Sequence, residues 1–112
     1  MQINIVVFGK NKEIVETLNR VINNNAEWKA FCAYEQNDLE EILQLNPINI
    51  ILYSSGIGEE ETIFLEKWMN ENYPNIKQIH HYGGGSGLLL CEINSALSEG
   101  KVIRKARKNH LI

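Results

Sequence analysis

No uninterrupted apolar run in this sequence approaches the roughly 18 residues that a membrane span needs, which argues against a transmembrane protein. The strand-like Ile3-Asn4-Ile5-Val6-Val7-Phe8 follows Met1 almost at once, with no basic leader and no small-residue cleavage site, so a cytoplasmic chain is expected rather than a secreted one. Only two cysteines are present, Cys32 and Cys91. They lie far apart and show no CxxC or Cys/His ligand spacing, which excludes a disulfide framework and predicts two buried free thiols. Repeats, low-complexity segments and an interdomain linker are lacking as well. What is there is 112 residues, 44% apolar and 22% charged, enough for one core and too few for two.

Acid and base are unevenly distributed. Residues 1–100 carry six Lys/Arg against all fourteen Asp/Glu, a net −8, whereas residues 101–112 carry five Lys/Arg and no acid, a net +5. The chain therefore divides into a body, 1–100, and a basic C-terminal tail, 101–112. Lys101, Arg104, Lys105, Arg107 and Lys108 suit an acidic partner or a neighbouring acidic body, or else form a solvated extension. With no aromatic side chain interleaved, nucleic acid ranks last among their partners.

Strands and helices alternate along the body. Ile3 to Phe8 reads as a strand, and Gly9-Lys10-Asn11 opens a helix with Ile14, Leu18, Val21 and Ile22 inward. Trp28 to Tyr34 reads as a second strand. A short helix follows, N-capped by Asn37 or Asp38, with Leu39, Ile42, Leu43 and Leu45 on one side. The nearly continuous apolar run from Ile48 to Tyr53 suits a central parallel strand. After the Ser54-Ser55-Gly56-Ile57-Gly58 loop, a helix opens on Glu59, Glu60 and Glu61, where its dipole favours negative charge. Its expected apolar face is Ile63, Phe64, Trp68 and Met69. A fourth strand from Ile76 to Tyr82 precedes a helix from Leu88 to Leu97 with Leu89, Leu90, Ile93 and Leu97 inward. Trp28 and Trp68 are expected as core or interface anchors.

Four such strand–helix pairs imply an open parallel sheet with right-handed crossovers and helices on both faces. Strand order 2-1-3-4 puts a topological switch point between strands one and three, so ligands are expected beyond the strands' carboxyl ends. Gly9-Lys10-Asn11, Ser54-Ser55 and His81 to Ser86 would gather there.

The most informative stretch is Ile79-His80-His81-Tyr82-Gly83-Gly84-Gly85-Ser86-Gly87-Leu88-Leu89-Leu90. An apolar strand ends in glycines and restarts at once as a helix, a joint whose freed N–H groups can cradle an anion. The same glycines also suit a tight turn at positive φ. The Walker Lys-Ser/Thr ending and the GxGxxG spacing are missing, so nucleotide hydrolysis is not indicated. Candidate ligand or anion contacts are Lys10, Ser54, His81, Gly83, Gly84, Gly85 and Ser86. His80 and His81 fall on opposite sides of a regular strand, which argues against a shared metal. No catalytic residue, metal or cofactor is indicated, and no Gly-x-Ser-x-Gly elbow marks a nucleophile.

The order of elements, the size and the phrase Asn46-Pro47-Ile48-Asn49-Ile50-Ile51-Leu52 before a short loop resemble the receiver domain of bacterial response regulators over residues 3–99. The resemblance implies a flavodoxin/receiver-like three-layer α/β/α sandwich with a four-stranded parallel sheet of order 2-1-3-4. It is a truncated one, because only five residues separate Tyr82 from Leu88 where a receiver places a helix and its fifth strand. The run His-Tyr-Gly-Gly-Gly-Ser-Gly-Leu-Leu also resembles small stand-alone receiver-like bacterial proteins, a likeness that bears on fold and not on activity.

In receivers an acidic pair ends the first strand, a phosphorylated Asp ends the third, a Thr or Ser the fourth and a Lys the fifth. Here Phe8-Gly9 replaces the acidic pair, and Tyr53, or Ser54 with a one-residue shift, stands at the phospho-acceptor. Without those carboxylates Mg²⁺ has no oxygen cluster and no acyl phosphate can form. The expected function is a non-enzymatic pseudo-receiver, a signalling or protein-interaction module. The alternative is a small-molecule or phosphate-type anion-binding protein using the Gly83-to-Ser86 turn. The open edge left by the missing unit predicts a homodimer.

Overall fold

Alternation along β1 (Ile3–Phe8) builds two cores at once: Ile5 and Val7 point to one face, Val6 and Phe8 to the other, and all four are fully buried. The computed structural model describes residues 2–110 apart from Tyr82 and Gly84, with side chains as far as Ser98. Gly84 of the candidate site, Tyr82 and the tail's five basic side chains thus lie outside the described residues.

The remaining elements follow in order as α1 (Lys12–Asn23), β2 (Trp28–Ala33), α2 (Gln36–Leu45), β3 (Ile50–Tyr53), α3 (Glu59–Asn72), β4 (Lys77–His80) and α4 (Gly85–His110). All four strands are parallel in one sheet of order β2-β1-β3-β4, the order expected. On one face Val15, Leu18 and Ile22 of α1 and Leu89, Ile93 and Ala96 of α4 pack over Ile5, Val7, Ile50 and Leu52. On the other, Leu39 and Leu43 of α2 and Leu65 and Met69 of α3 pack over Val6, Phe8, Ile51 and Tyr53. Burying each large apolar side chain stabilises by about 1.5–3 kcal/mol, so neither face can be dispensed with. Trp28 is buried in the first core and Trp68 is partly buried against the second.

Helix entries show how the local sequence sets the chain's path. Asn11 caps α1, its side-chain oxygen accepting from the Ile14 N–H at 3.1 Å. The N-cap of α2 is Glu35 rather than Asn37 or Asp38. Asp38 lies at the third helical position, and its Oδ2 accepts from the Tyr34 and Glu35 N–H groups at 3.0 Å each, half of a capping box.

Several expected inward positions are corrected. In α1 Val15 is buried and Ile14 is exposed, and in α3 Leu65 is buried while Ile63 and Phe64 are exposed. In both cases adjacent apolar residues compete for one face, and the last of the run wins. Leu45 is exposed because it is the last residue of α2, beyond the edge of the core, and Leu97 is exposed beside the buried Ala96. Neither thiol is fully buried, for Cys32 lies on the edge strand β2 and is half-buried, and Cys91 is exposed on α4. Glycine does not delay α4, which begins at Gly85 and continues through position 100 to His110.

The last helix packs beside α1, and among the described residues no further strand stands between β4 and α4. Among the described strands β4 therefore pairs only with β3, and its outer edge is open.

Candidate functional site

Three groups of residues meet at the carboxyl ends of the strands. The first lies where β1 and β3 end side by side. Phe8 and Tyr53, cross-strand partners, are fully buried, and Ser54 is 1% exposed. Gly9 donates its N–H to the Ala33 carbonyl at 3.1 Å, and the Phe8 carbonyl accepts both the Ser54 N–H at 2.9 Å and its hydroxyl at 3.2 Å. A Cβ on Gly9 would lie 1.9 Å from Ser54 Oγ, so this corner is filled.

Beside it Tyr53 stacks on His80 with ring centroids 4.8 Å apart, and its hydroxyl donates to Gln78 Oε1 at 2.7 Å. Gln78 in turn donates to Asn70 at 2.9 Å, and His80 Nε2 meets Glu66 at 2.6 Å. Burial, reinforced by the charge of Glu66, holds the Tyr53 phenol well above its ordinary pKa, and it stays protonated.

Lys10 forms the second group. Its Nζ lies 2.6 Å from Glu35, 3.1 Å from Glu61 and 2.8 Å from the Tyr34 carbonyl, strapping the start of α2 to the first turn of α3. Desolvation lowers its pKa, but the two carboxylates outweigh that effect and the ammonium titrates above its usual range.

The third group surrounds a groove of about 250 Å³ between α1 and α4. Ile14, Thr17, Leu18 and Val21 line its α1 side, and Leu89 lies opposite. His81, Gly83, Gly85 and Ser86 of the glycine turn, together with Ser55, are the other described residues of the lining. Gly83 and Gly85 have φ of 119° and 80°, the left-handed conformations that a non-glycine residue rarely adopts. His81 is 4% exposed, and its Nδ1 lies 2.5 Å from Glu92 Oε1 on α4.

Of the candidate residues, the fold brings His81, Gly83, Gly85 and Ser86 together. It places Lys10 with Glu35 and Glu61, and turns Ser54 inward against Gly9. Two contributors escaped sequence reasoning. Ser55, not its neighbour, reaches the groove. Glu92 reaches His81 because it shares a helix stripe with Leu89 and Ile93, both of which face the sheet. His80 and His81 do point to opposite faces, one toward Glu66 on α3 and the other toward Glu92 on α4. Among the described residues no three His, Cys, Asp or Glu side chains stand close enough to share a metal ion, and no helix is long and apolar enough to cross a membrane.

No family model matches the sequence, and no curated protein matches it. Solved structures do match in fold. The signal receiver domain of an HD domain-containing protein from Pseudomonas fluorescens Pf-5 superposes with a TM-score of 0.77 at 11% identity, over 88% of this chain and 97% of that one. A response regulator from Thermotoga maritima gives 0.65 at 12% identity, over 86% and 79%. The non-phosphorylated receiver domain of the stress response regulator RcsB from Escherichia coli gives 0.62 at 10% identity, over 97% and 95%. The chain thus has a receiver-like, flavodoxin-type three-layer fold.

Proposed function

We propose that this chain, receiver-like in fold, is a signalling or protein-interaction module that works without aspartyl phosphotransfer and is not an enzyme. One observation carries the reading: apolar and hydroxyl side chains fill the corner where a receiver gathers carboxylates. Phe8, Gly9, Tyr53 and Ser54 supply no carboxylate to accept a phosphoryl group or to hold Mg²⁺. Tyr53 and Ser54 spend their polar atoms on Gln78 and on the Phe8 carbonyl.

Assembly is the proposed mode of action. Among the described strands β4 pairs only with β3, and a second copy of the chain could extend the sheet along its outer edge. The test of the phosphotransfer half is incubation with acetyl phosphate and Mg²⁺ followed by intact-mass measurement. No phosphoryl adduct is expected. A phosphoryl adduct on an aspartate, labile to base and to hydroxylamine, would overturn the reading.

A further inference from the structure

The groove between α1 and α4 has no part in that reading. Its walls are apolar, Leu18 and Val21 on one side and Leu89 on the other, yet an almost fully buried imidazole lines it. Glu92 holds His81 Nδ1 and the His81 ring lines the groove, so Nε2 is the ring nitrogen that a molecule there would meet. A carboxylate held on Nδ1 fixes the proton there and makes Nε2 the basic nitrogen. The hydroxyl-bearing residues Ser55 and Ser86 line the same space.

Charge selects the class of occupant. None of the described lining residues is Lys or Arg: Lys12 and Arg20 lie on α1 but outside the lining, and Lys10 is bound to Glu35 and Glu61. A carboxylate stands directly behind His81. A phosphate-type anion would find only the N–H groups at the start of α4 in the described lining, with the Glu92 carboxylate close by, whereas an uncharged molecule needs no counter-charge. An apolar cavity of about 150 Å³ holds a benzene ring, so 250 Å³ admits about ten non-hydrogen atoms.

We propose that this groove binds a small uncharged molecule with an apolar body and a single hydroxyl, which meets His81 Nε2. Apolar walls supply the contact area, and one placed polar group supplies orientation.

The experiment is a titration of the full chain with para-ethylphenol, followed by proton–nitrogen correlation spectra. Ethylbenzene and para-ethylbenzoate serve as the hydroxyl-free and anionic counterparts. Saturable shifts are expected on residues 14–21, Gly83 and Gly85. Ethylbenzene should bind about fivefold more weakly, the worth of one net hydrogen bond, and the benzoate more weakly than the phenol. Thr17→Phe, at an exposed position on the groove wall, should abolish the shifts without disturbing the rest of the spectrum. Ser86→Leu, on the opposite wall, should do the same and serves if the first variant does not fold. Absence of saturation at these amides, shifts that survive both fillings, ethylbenzene binding as tightly as the phenol, or tighter binding of the benzoate would each overturn the proposal.

Discussion

Gly9 and Ser54 lie so close that a single added carbon on Gly9 would stand 1.9 Å from the Ser54 hydroxyl and 2.8 Å from Val15 Cγ2. Gly9 needs no unusual backbone angle, so its requirement is one of space alone. Gly9→Ala is therefore expected to destabilise the protein by about 2–3 kcal/mol through overpacking. Adding Ser54→Ala should recover about 1 kcal/mol or more of that loss, a coupling between touching residues that urea unfolding of the two single variants and the double variant would measure. Strictly additive effects would show that the corner is not packed as described.

Two histidine–carboxylate pairs offer a matched comparison. The His81 side chain is 5% exposed and that of His80 28%. Glu92→Ala strands a buried ring N–H and should cost about 2 kcal/mol, whereas Glu66→Ala leaves a ring that water can reach and should cost under about 1 kcal/mol. Equal losses on chemical denaturation would contradict the assigned burial.

Alkaline pH should expose the Tyr53 environment. Its folded phenol keeps its proton above the pH near 10 at which the unfolded one ionises. The stabilisation is complete below pH 10 and falls as pH rises toward the folded value, because the unfolded chain then binds fewer protons. Tyr34, pushed up to about 12 first by burial and then by Cys32, adds in the same direction. Tyr53→Phe should cost about 1 kcal/mol at neutral pH through the lost bond to Gln78. It should also flatten the decline in stability between pH 10 and 12, and an unchanged slope would contradict the assignment.

Lys10 should behave as a partly exposed ion-pair strap. Lys10→Met is expected to cost about 0.5–1 kcal/mol at low salt. The difference should shrink at about 1 M salt, where the Debye length is about 3 Å. A salt-independent loss would contradict the ion pairs as what Lys10 contributes.

Much of the fold was legible in the sequence because strands and helices leave different periods. β1 reads correctly at both ends, and the continuous apolar run of β3 marks a strand buried on both faces. Periodicity was weakest where two apolar residues adjoin, as at Ile14-Val15 and Phe64-Leu65, since the choice between them depends on which neighbouring helix is present. The site was legible in part. Gly83, Gly85, Ser86 and His81 were visible as a motif, but Glu92 joins them only through the folding of α4 over the sheet. That Ser54 turns inward and Ser55 toward the groove depends on the close approach of Gly9, a tertiary contact no local pattern records.

The most direct test of a module that acts by assembly and not by phosphorylation is light scattering on a dilution series, with and without acetyl phosphate and Mg²⁺. The account predicts a dimer mass that dilution dissociates and the phosphodonor leaves unchanged. A monomer at every concentration, or a dimer that forms only with the phosphodonor, would contradict it.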